Sequence, residues 1–257
     1  DLTSVTIPSS VSTIGSRAFD WFYLESFNIE NNENYIYEDD YLLTSDRKRL
    51  IAGIGRLNNI TIPNTVTTID EFALSDYGLS GVTIPDSVET IGRYAFYDNN
   101  LTSVTIPDSL LKMGYGAFSK NHLTSITFPD NITIIENDAF SHNHLTSITI
   151  PNSVTTIGRN AFSDNYLTSI TIPNGVTTIG SYAFYDNQLT SIEFSNSVTT
   201  IGERAFLMNN LTNITIPDSV ETIEAFAFDW SEIESFDIGN NENFIYENNL
   251  LITADGN

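Results

Sequence analysis

Seven leucines recur at intervals of 22 residues, and the rest of the chain repeats in phase with them. They are Leu57, Leu79, Leu101, Leu123, Leu145, Leu167 and Leu189. A repeat of this length cannot bury its own apolar face, so the copies must stack on one another to enclose a core. The spacing therefore predicts a solenoid. It also argues against a catalytic centre, because near-identical copies seldom bring different side chains together at one point.

Each repeat opens with a predicted short strand. In residues 101–107 it reads LTSVTIP, and its alternation of threonine with aliphatic residues suits a half-buried pleated surface. Pro107 ends the strand because it has no N–H to donate, and all eight prolines of the chain share this phase. A second extended segment follows, such as VTTIG at residues 154–158. The pattern predicts a β-rich solenoid of 22-residue repeats, with a parallel sheet on one face and short turns or helical turns on the other.

An Ala-Phe pair and an asparagine close each repeat. We expect the phenylalanines to stack as a column in the core, with the alanine permitting close approach of neighbouring backbones. A buried asparagine in a solenoid can bond the backbone of the adjacent repeat, so the asparagine phase predicts a structural ladder rather than a catalytic role. The asparagines of this phase are Asn99, Asn121, Asn143, Asn165, Asn187 and Asn209.

Two irregular stretches interrupt the array. SFNIENNENYIYEDDYLLTSD at residues 26–46 returns as SFDIGNNENFIYENNLLITAD at residues 235–255. We interpret them as a hairpin-like excursion over residues 25–56 and a truncated second copy over residues 234–257. The whole chain, residues 1–257, is predicted to form a single leucine-rich-repeat solenoid, and we expect it to be a fragment of a longer protein.

The run LTSITIPNSVTTIGRNAFSDN at residues 145–165 and its copies resemble the BspA-like, or Treponema-type, leucine-rich repeat family. The resemblance covers essentially the full chain, and the tyrosine-containing excursion is similar to a longer variant of the family's repeat. It implies a secreted or surface-attached protein, extracellular or on the cell surface, with adhesion to host proteins or other cells among its relatives. The family has no catalytic motif, so the resemblance transfers no functional residues.

The chain carries a formal charge of -23, which disfavours nucleic acid and anionic membrane surfaces as partners. No apolar run approaches the roughly 20 residues of a membrane-spanning helix, so membrane insertion is not expected. Cysteine is absent, and so are nucleotide-binding loops, HExxH pairs and GxSxG elbows. We therefore expect no enzymatic activity and no cofactor.

Tyrosine and arginine are favoured anchors of protein interfaces, and two groups of them are candidate partner-binding residues. The first lies in the excursion, where the alternative is a hairpin packed on the solenoid with a solvated basic turn; its members are Tyr35, Tyr37, Tyr41, Arg47, Lys48 and Arg49. The second occupies varied positions near the Ala-Phe pair, beside Arg93, Lys120, Arg204 and Met208; its members are Tyr94, Tyr97, Tyr115, Tyr182 and Tyr185.

The chain's three histidines, His122, His142 and His144, could form a zinc or nickel site if their imidazole nitrogens converged. The phase of His122 and His144 also holds Asn100 and Tyr166, which is typical of a freely varying exposed position. We therefore favour no metal site. Stacked turn aspartates could likewise attract calcium, but the calcium-loop pattern is missing and solvated turns are favoured.

Two functions remain in competition. The preferred one is a non-enzymatic interaction or adhesion module that binds a protein or glycan on a cell surface or in the extracellular matrix. The alternative is a rigid spacer for a binding domain outside residues 1–257. The sequence predicts no oligomeric state.

Overall fold

The computed structural model describes residues 3–19, 24–55, 57–229, 231–248 and 250–254. It contains two compact units, residues 1–123 (unit 1) and 124–257 (unit 2). Each unit is a β-solenoid whose successive turns are related by the 22-residue repeat, as the register of the paired strands shows. The predicted leucine-rich-repeat solenoid with parallel strands is thus confirmed within each unit.

Unit 1 combines parallel stacking with one antiparallel insertion. A six-stranded sheet has the order β11-β9-β7-β5-β4-β3, antiparallel between β3 and β4 and between β4 and β5, and parallel elsewhere; β1 pairs with β2 and β6 with β8. The strands are β1 (Ser4–Pro8), β2 (Ser26–Glu30), β3 (Tyr35–Glu38), β4 (Tyr41–Thr44), β5 (Arg49–Gly53), β6 (Asn59–Thr61), β7 (Thr68–Ile69), β8 (Gly81–Thr83), β9 (Thr90–Ile91), β10 (Ser103–Thr105) and β11 (Lys112–Met113).

Unit 2 is more regular. A five-stranded parallel sheet has the order β13-β14-β16-β18-β20, β15 pairs with β17, β19 pairs with β21, and β22 and β23 form an antiparallel hairpin. The strands are β12 (Ser125–Thr127), β13 (Ile134–Ile135), β14 (Thr156–Ile157), β15 (Ser169–Thr171), β16 (Thr178–Ile179), β17 (Ser191–Glu193), β18 (Thr200–Ile201), β19 (Asn213–Thr215), β20 (Thr222–Ile223), β21 (Ser235–Asp237), β22 (Phe244–Glu247) and β23 (Leu250–Thr253).

The core of each unit contains the predicted phenylalanine column. In unit 1, the rings of Phe96 and Phe118 stack with centroids 5.0 Å apart. In unit 2, a column of five rings has four contacts at 5.3 to 5.8 Å, and its members are Phe140, Phe162, Phe184, Phe206 and Phe228. The preceding alanine is fully buried in most repeats, which lets the backbones approach as predicted.

The asparagine ladder is also confirmed. In unit 2, Asn165 donates from Nδ2 to the carbonyl of Phe140 in the preceding repeat (3.0 Å) and to Phe162 O in its own repeat (3.2 Å). Its Oδ1 accepts the N–H of Leu145 at 3.0 Å. Since one buried side chain satisfies donors and acceptors of two repeats, the asparagine fixes their register.

The predicted helical turn at the Ala-Phe pair is wrong: the described residues form no helix there or elsewhere. The residue before each alanine has a positive φ, as at Tyr94 (54°), and so does the residue two after the phenylalanine wherever that residue is described, as at Asp98 (53°). A right-handed helix cannot contain such residues. The alternation directs every second N–H group at the next repeat, so Tyr94 N bonds Tyr115 O at 2.8 Å and Phe96 N bonds Ala117 O at 2.9 Å.

The glycine that precedes this turn permits a close approach of neighbouring backbones and is not needed for its φ. A Cβ on Gly158 would lie 2.6 Å from the backbone nitrogen of Asn137 in the preceding repeat. Gly158 does not have a positive φ, which agrees with the presence of Asp70, Glu136 and Glu224 in the same phase.

Candidate partner-binding site

Unit 1 presents a row of half-buried aromatic side chains on its turn face. We call Phe72, Tyr94, Tyr97 and Tyr115 the aromatic strip. The rings of Phe72 and Tyr94 stack with centroids 4.9 Å apart. Tyr94 then meets Tyr97 and Tyr115 edge to face at 5.2 and 5.1 Å. The structure thus brings together three of the sequence-predicted tyrosines, with Phe72 as an additional member.

Basic side chains lie over the same rings. The guanidinium of Arg17 lies 4.4 Å from the ring centroid of Phe72, that of Arg93 lies 5.7 Å from Tyr115, and the ammonium of Lys120 lies 5.1 Å from Tyr97. Contacts of this kind contribute about 0.5 to 1 kcal/mol each at exposed sites. A hydrogen bond with Tyr97 and the electrostatic effect of its phenolate raise the pKa of Lys120 above its usual range.

The backbone conformation under the strip is unfavourable for the residues it carries. Phe72 and Tyr94 have φ values of 59° and 54°, a region that favours glycine, asparagine and aspartate and costs other residues about 1 to 2 kcal/mol. Asp138 and Asn160 occupy the same phase in unit 2. At Gly116, a Cβ would lie 2.5 Å from Cε1 of Tyr94, so glycine leaves room for that ring. The fold itself therefore does not call for aromatic residues at these positions.

Unit 2 carries a second strip, formed by Tyr182, Tyr185 and Phe226. The two tyrosines meet edge to face at 5.7 Å, and Arg204 lies between Tyr182 and Phe226, 5.6 and 4.9 Å from their ring centroids. Arg204 also donates to the hydroxyl of Tyr182 at 2.6 Å and pairs with Glu203. Met208, the remaining varied position of this group, is 38% exposed.

Two of the excursion tyrosines are buried packing residues. Tyr35 and Tyr41 are only 6% and 5% exposed. The hydroxyl of Tyr35 accepts the N–H of Ile14 (3.1 Å), and that of Tyr41 donates to the carbonyl of Thr61 (3.4 Å). Tyr37 is half-buried and meets Phe27 edge to face at 5.8 Å. These three rings pack the hairpin against the rest of unit 1, so little of their surface is exposed to a partner.

The buried hydroxyl of Tyr41 makes stability depend on alkaline pH. Burial, with the nearby charges of Asp40 and Asp39, raises its pKa from 10.0 to about 12. Because the folded-state pKa exceeds the unfolded one, the contribution is complete below pH 10 and is lost as the pH rises to about 12. We expect the unfolding free energy, measured from urea midpoints, to fall by up to about 2 to 3 kcal/mol over this range. In Tyr41→Phe the unfolding free energy should fall less steeply with pH. Equal slopes for both proteins would contradict this assignment.

The basic residues of the excursion are mostly paired with carboxylates. Arg47 contacts Glu38 at 2.7 Å, and its hydrogen bond lowers the pKa of that carboxyl. Arg49 contacts Asp70 at 2.8 Å, with hydrogen bonds from both Nε and Nη2. Lys48 is exposed. Burial and ion pairing thus make the excursion a weaker candidate surface than the strips.

Each histidine makes contacts within its own unit. In unit 2, Nδ1 of His142 lies 3.6 Å from Oδ2 of Asp164, and His144 stacks on Tyr166 with centroids 5.6 Å apart. In unit 1, His122 donates its backbone N–H to Leu101 O at 3.0 Å. Over the described ranges, no three histidine, cysteine, aspartate or glutamate side chains are grouped so that they could hold a metal ion. Within the same ranges, no helix is long and apolar enough to cross a membrane.

The sequence reasoning missed two members of the strips, Phe72 and Phe226. It also missed two cations that lie over their rings, Arg17 and Arg159. Arg159 lies 5.5 Å from the ring centroid of Tyr182. The signal was present, because six of the nine copies carry an arginine or an aromatic residue immediately before the alanine, namely Arg17, Phe72, Tyr94, Tyr182, Arg204 and Phe226. Of the nine basic residues that the structure describes, five make cation–π contacts on the turn face of their own unit: Arg17, Arg93, Lys120, Arg159 and Arg204.

Comparison with known proteins identifies the repeat. Residues 1–45, 48–166 and 133–251 match the profile of the BspA type leucine rich repeat region, in six copies. These matches cover nearly the whole chain. No curated protein sequence is significantly similar to it.

Two solved structures share the fold. A leucine-rich repeat protein from Eubacterium ventriosum is 27% identical, with a TM-score of 0.66 over 93% of this chain and 62% of its own. The chain therefore spans less than two thirds of that protein. A leucine rich cell surface protein from Faecalibacterium prausnitzii is 25% identical, with a TM-score of 0.52 over 92% of this chain and 79% of its own.

Proposed function

Because the chain belongs to the BspA-type leucine-rich repeat family, whose repeats commonly serve as protein-interaction modules, we propose that it is a non-enzymatic binding module and that its aromatic strips contact the partner. The partner is a protein on a cell surface or in the extracellular matrix. An extracellular or cell-surface location is supported by the cell surface protein of Faecalibacterium prausnitzii, which has the same fold.

One observation carries the proposal: aromatic side chains occupy left-handed backbone positions where the fold favours aspartate, asparagine or glycine. Phe72, Tyr94, Tyr182 and Phe226 all do so, and each has a cation or a second ring in contact. Tyrosine and arginine are enriched among the residues that anchor protein interfaces. Stability alone does not explain this choice, and binding does.

The strip of unit 1 is the preferred surface because of charge. Eight of the ten basic residues lie in unit 1, while the chain as a whole is strongly acidic. Arg93 and Lys120 are exposed beside the aromatic strip. An acidic or neutral partner surface meets less repulsion there than on unit 2.

Replacing Tyr94 and Tyr115 together with alanine is expected to weaken partner binding at least tenfold, since two anchor residues are lost. Surface plasmon resonance against an array of matrix proteins and glycans first identifies the ligand that the wild-type chain binds. The affinity of the double variant for that ligand is then measured in the same way. Tyr166→Ala is the matched control, because Tyr166 is 47% exposed and lies outside both strips.

The spacer alternative is tested by the same array. Its support is the regular hydrogen-bonded stacking of the repeats, which suits a stiff rod as well as a binding surface. A spacer binds no component of the array. Binding that the double variant retains in full, or the absence of any binding by the wild-type chain, overturns the strip proposal.

A further inference from the structure

Unit 2 contains an open apolar groove beside its hairpin of β22 and β23. The groove is lined by side chains of the turn at residues 223–229, by Phe236 and Phe244, and by residues 251–253 of β23. It has room for about 510 Å³. Apolar side chains collected in one open groove indicate a surface that another segment or a partner covers.

The residues that line the groove have counterparts in the first excursion, related by the same displacement that relates Ser26 to Ser235. In unit 1 these counterparts form or pack against one hydrophobic cluster, and they are Ile14, Phe19, Leu24, Phe27, Tyr35 and Leu42. The corresponding residues of unit 2 all line the groove, and they are Ile223, Phe228, Ile233, Phe236, Phe244 and Leu251. The cluster of unit 1 therefore shows what fills such a groove.

In unit 1 the cluster is completed by the segment at residues 50–54, LIAGI. Ile54 belongs to the cluster, and Ile51 and Ala52 pack against it. Beside the turn at residues 15–19, these side chains leave room for only about 40 Å³. The described part of unit 2 contains no counterpart of this segment, and the corresponding space there is the open groove.

The second edge of β23 is open in the same way. β4 lies between β3 and β5, whereas β23 pairs with β22 alone among the described strands. Ala254 N–H bonds Asn243 O at 2.8 Å, so by alternation along the strand Leu251 directs its N–H and C=O away from β22. Its counterpart Leu42 lies opposite Ala52 of β5. The edge of β23 therefore offers main-chain groups to an antiparallel strand.

Side-chain exposure differs between the two excursions at the same positions. Leu43 is completely buried, but its counterpart Ile252 is only half-buried. Leu24 is 2% exposed, and its counterpart Ile233 is again half-buried. These apolar side chains of unit 2 favour an occupant that removes their remaining surface from water.

We propose that this groove holds an extended segment of the same protein that lies beyond residue 257. The segment adds to β23 as an antiparallel strand, and its apolar side chains complete the cluster of unit 2 as Ile51, Ala52 and Ile54 complete that of unit 1. The protein's own chain is the favoured occupant because the occupant in unit 1 is intramolecular and a tethered strand has a high effective concentration. A second copy is disfavoured by the formal charge of -23. This inference does not depend on the proposed binding function.

Hydrogen exchange at the amide of Leu251 tests the proposal. In the full-length protein we expect this amide to exchange about tenfold more slowly, or slower still, than in residues 1–257 alone, because it gains a strand partner. The amide of Leu42 is the internal control, since β5 is present beside it in both proteins, and its exchange should not change. Equal exchange at Leu251 in the two proteins overturns the proposal.

A designed extension tests the groove itself. Residues 49–55 of unit 1, RLIAGIG, are appended directly to Asn257; because Asn257 holds the position of Lys48 in the second copy, they follow β23 as β5 follows β4. We expect slower exchange at Leu251 and a higher urea midpoint for unit 2. The matched extension RSSAGSG, in which serine replaces the three large apolar residues, should produce neither change.

A pair of variants locates the effect of the RLIAGIG extension. Leu251→Ser should abolish the rise in urea midpoint, each variant being compared with and without the extension. Ile245→Ser should retain the rise, because Ile245 lies on β22, is 41% exposed and does not line the groove. Equal effects of the two variants contradict the assignment of the groove.

Each other occupant gives its own result, and each such result overturns the proposal. If Leu251 in residues 1–257 is already as protected as Leu42, residues within the chain fill the groove. Protection of Leu251 that increases with protein concentration assigns the groove to a second copy. Stabilisation by RSSAGSG equal to that by RLIAGIG shows that the groove does not select an apolar strand.

Discussion

Replacing Asn165 with alanine is expected to lower the unfolding free energy of unit 2 by about 2 to 3 kcal/mol. The side chain makes four hydrogen bonds inside the core: three from Nδ2 to the carbonyls of Phe140, Phe162 and Ser163, and one to Oδ1 from Leu145 N–H. Alanine leaves Leu145 N–H without its acceptor. The three carbonyls each lose one of two donors, because Asn143 Nδ2, Asn187 Nδ2 and His142 N–H still donate to Phe140 O, Phe162 O and Ser163 O, respectively. One unsatisfied buried donor costs about 1 to 3 kcal/mol, and the loss of the second donors adds to this.

Urea unfolding followed by circular dichroism measures the change, and Asn174→Ala provides the matched control. Asn174 occupies an exposed turn in the same unit, so its replacement should change stability by no more than about 0.5 kcal/mol. Asn165→Asp is a stricter test, because it keeps the acceptor of Leu145 N–H but places a carboxylate against carbonyl oxygens. We expect it to destabilise at least as strongly at neutral pH. A cost for Asn165→Ala no larger than that for Asn174→Ala would contradict the ladder's role.

The ladder and the phenylalanine column could be predicted because the repeat gives each position many independent observations. Asn165 and Phe184 recur in phase with residues of the same type on both sides, and only a buried position shared by all repeats explains this. The residues that these side chains contact could be predicted from the stacking of the repeats alone. Regular repeats thus convert a single sequence into something close to an alignment.

The excursion offered no such repetition, and its tyrosines were therefore ambiguous. Tyr35 and Tyr94 are the same residue type, yet Tyr35 is buried under the first turn while Tyr94 belongs to the strip. Buried Asn32 was also missed: its Nδ2 donates to Pro8 O (2.7 Å) and Val11 O (2.8 Å), and Asn241 makes the equivalent bonds in the second copy. The shared NNEN motif was the available signal.

The predicted helical turn failed for a different reason. Short segments such as YAFYDN have no glycine to indicate a positive φ, and their local propensities permit a helical turn. The left-handed conformation of Tyr94 and Asp98 is imposed by hydrogen bonds to the next repeat, from Tyr94 N to Tyr115 O and from Asp98 N to Ser119 O. Tertiary stacking therefore overrides local preference at the positions that form the candidate site.

Replacing Phe184 with alanine is expected to cost about 3 to 5 kcal/mol, because the side chain is completely buried between Phe162 (5.6 Å) and Phe206 (5.3 Å) and its removal leaves a cavity. Phe184→Leu should cost less than about 2 kcal/mol, since it retains most of the volume and leucine occupies this phase naturally at Leu74. Phe226→Ala is the control, because Phe226 is 52% exposed.

The comparison of alanine with leucine at position 184 separates two sources of stability in the column. Ring stacking contributes about 0.5 to 1.5 kcal/mol per pair beyond area burial, and Phe184 makes two such contacts. If volume dominates, leucine recovers most of the loss, and the Leu74 repeat is as stable as its neighbours. If leucine at 184 costs nearly as much as alanine in urea unfolding, stacking dominates. Leu74 then marks a weaker point in unit 1.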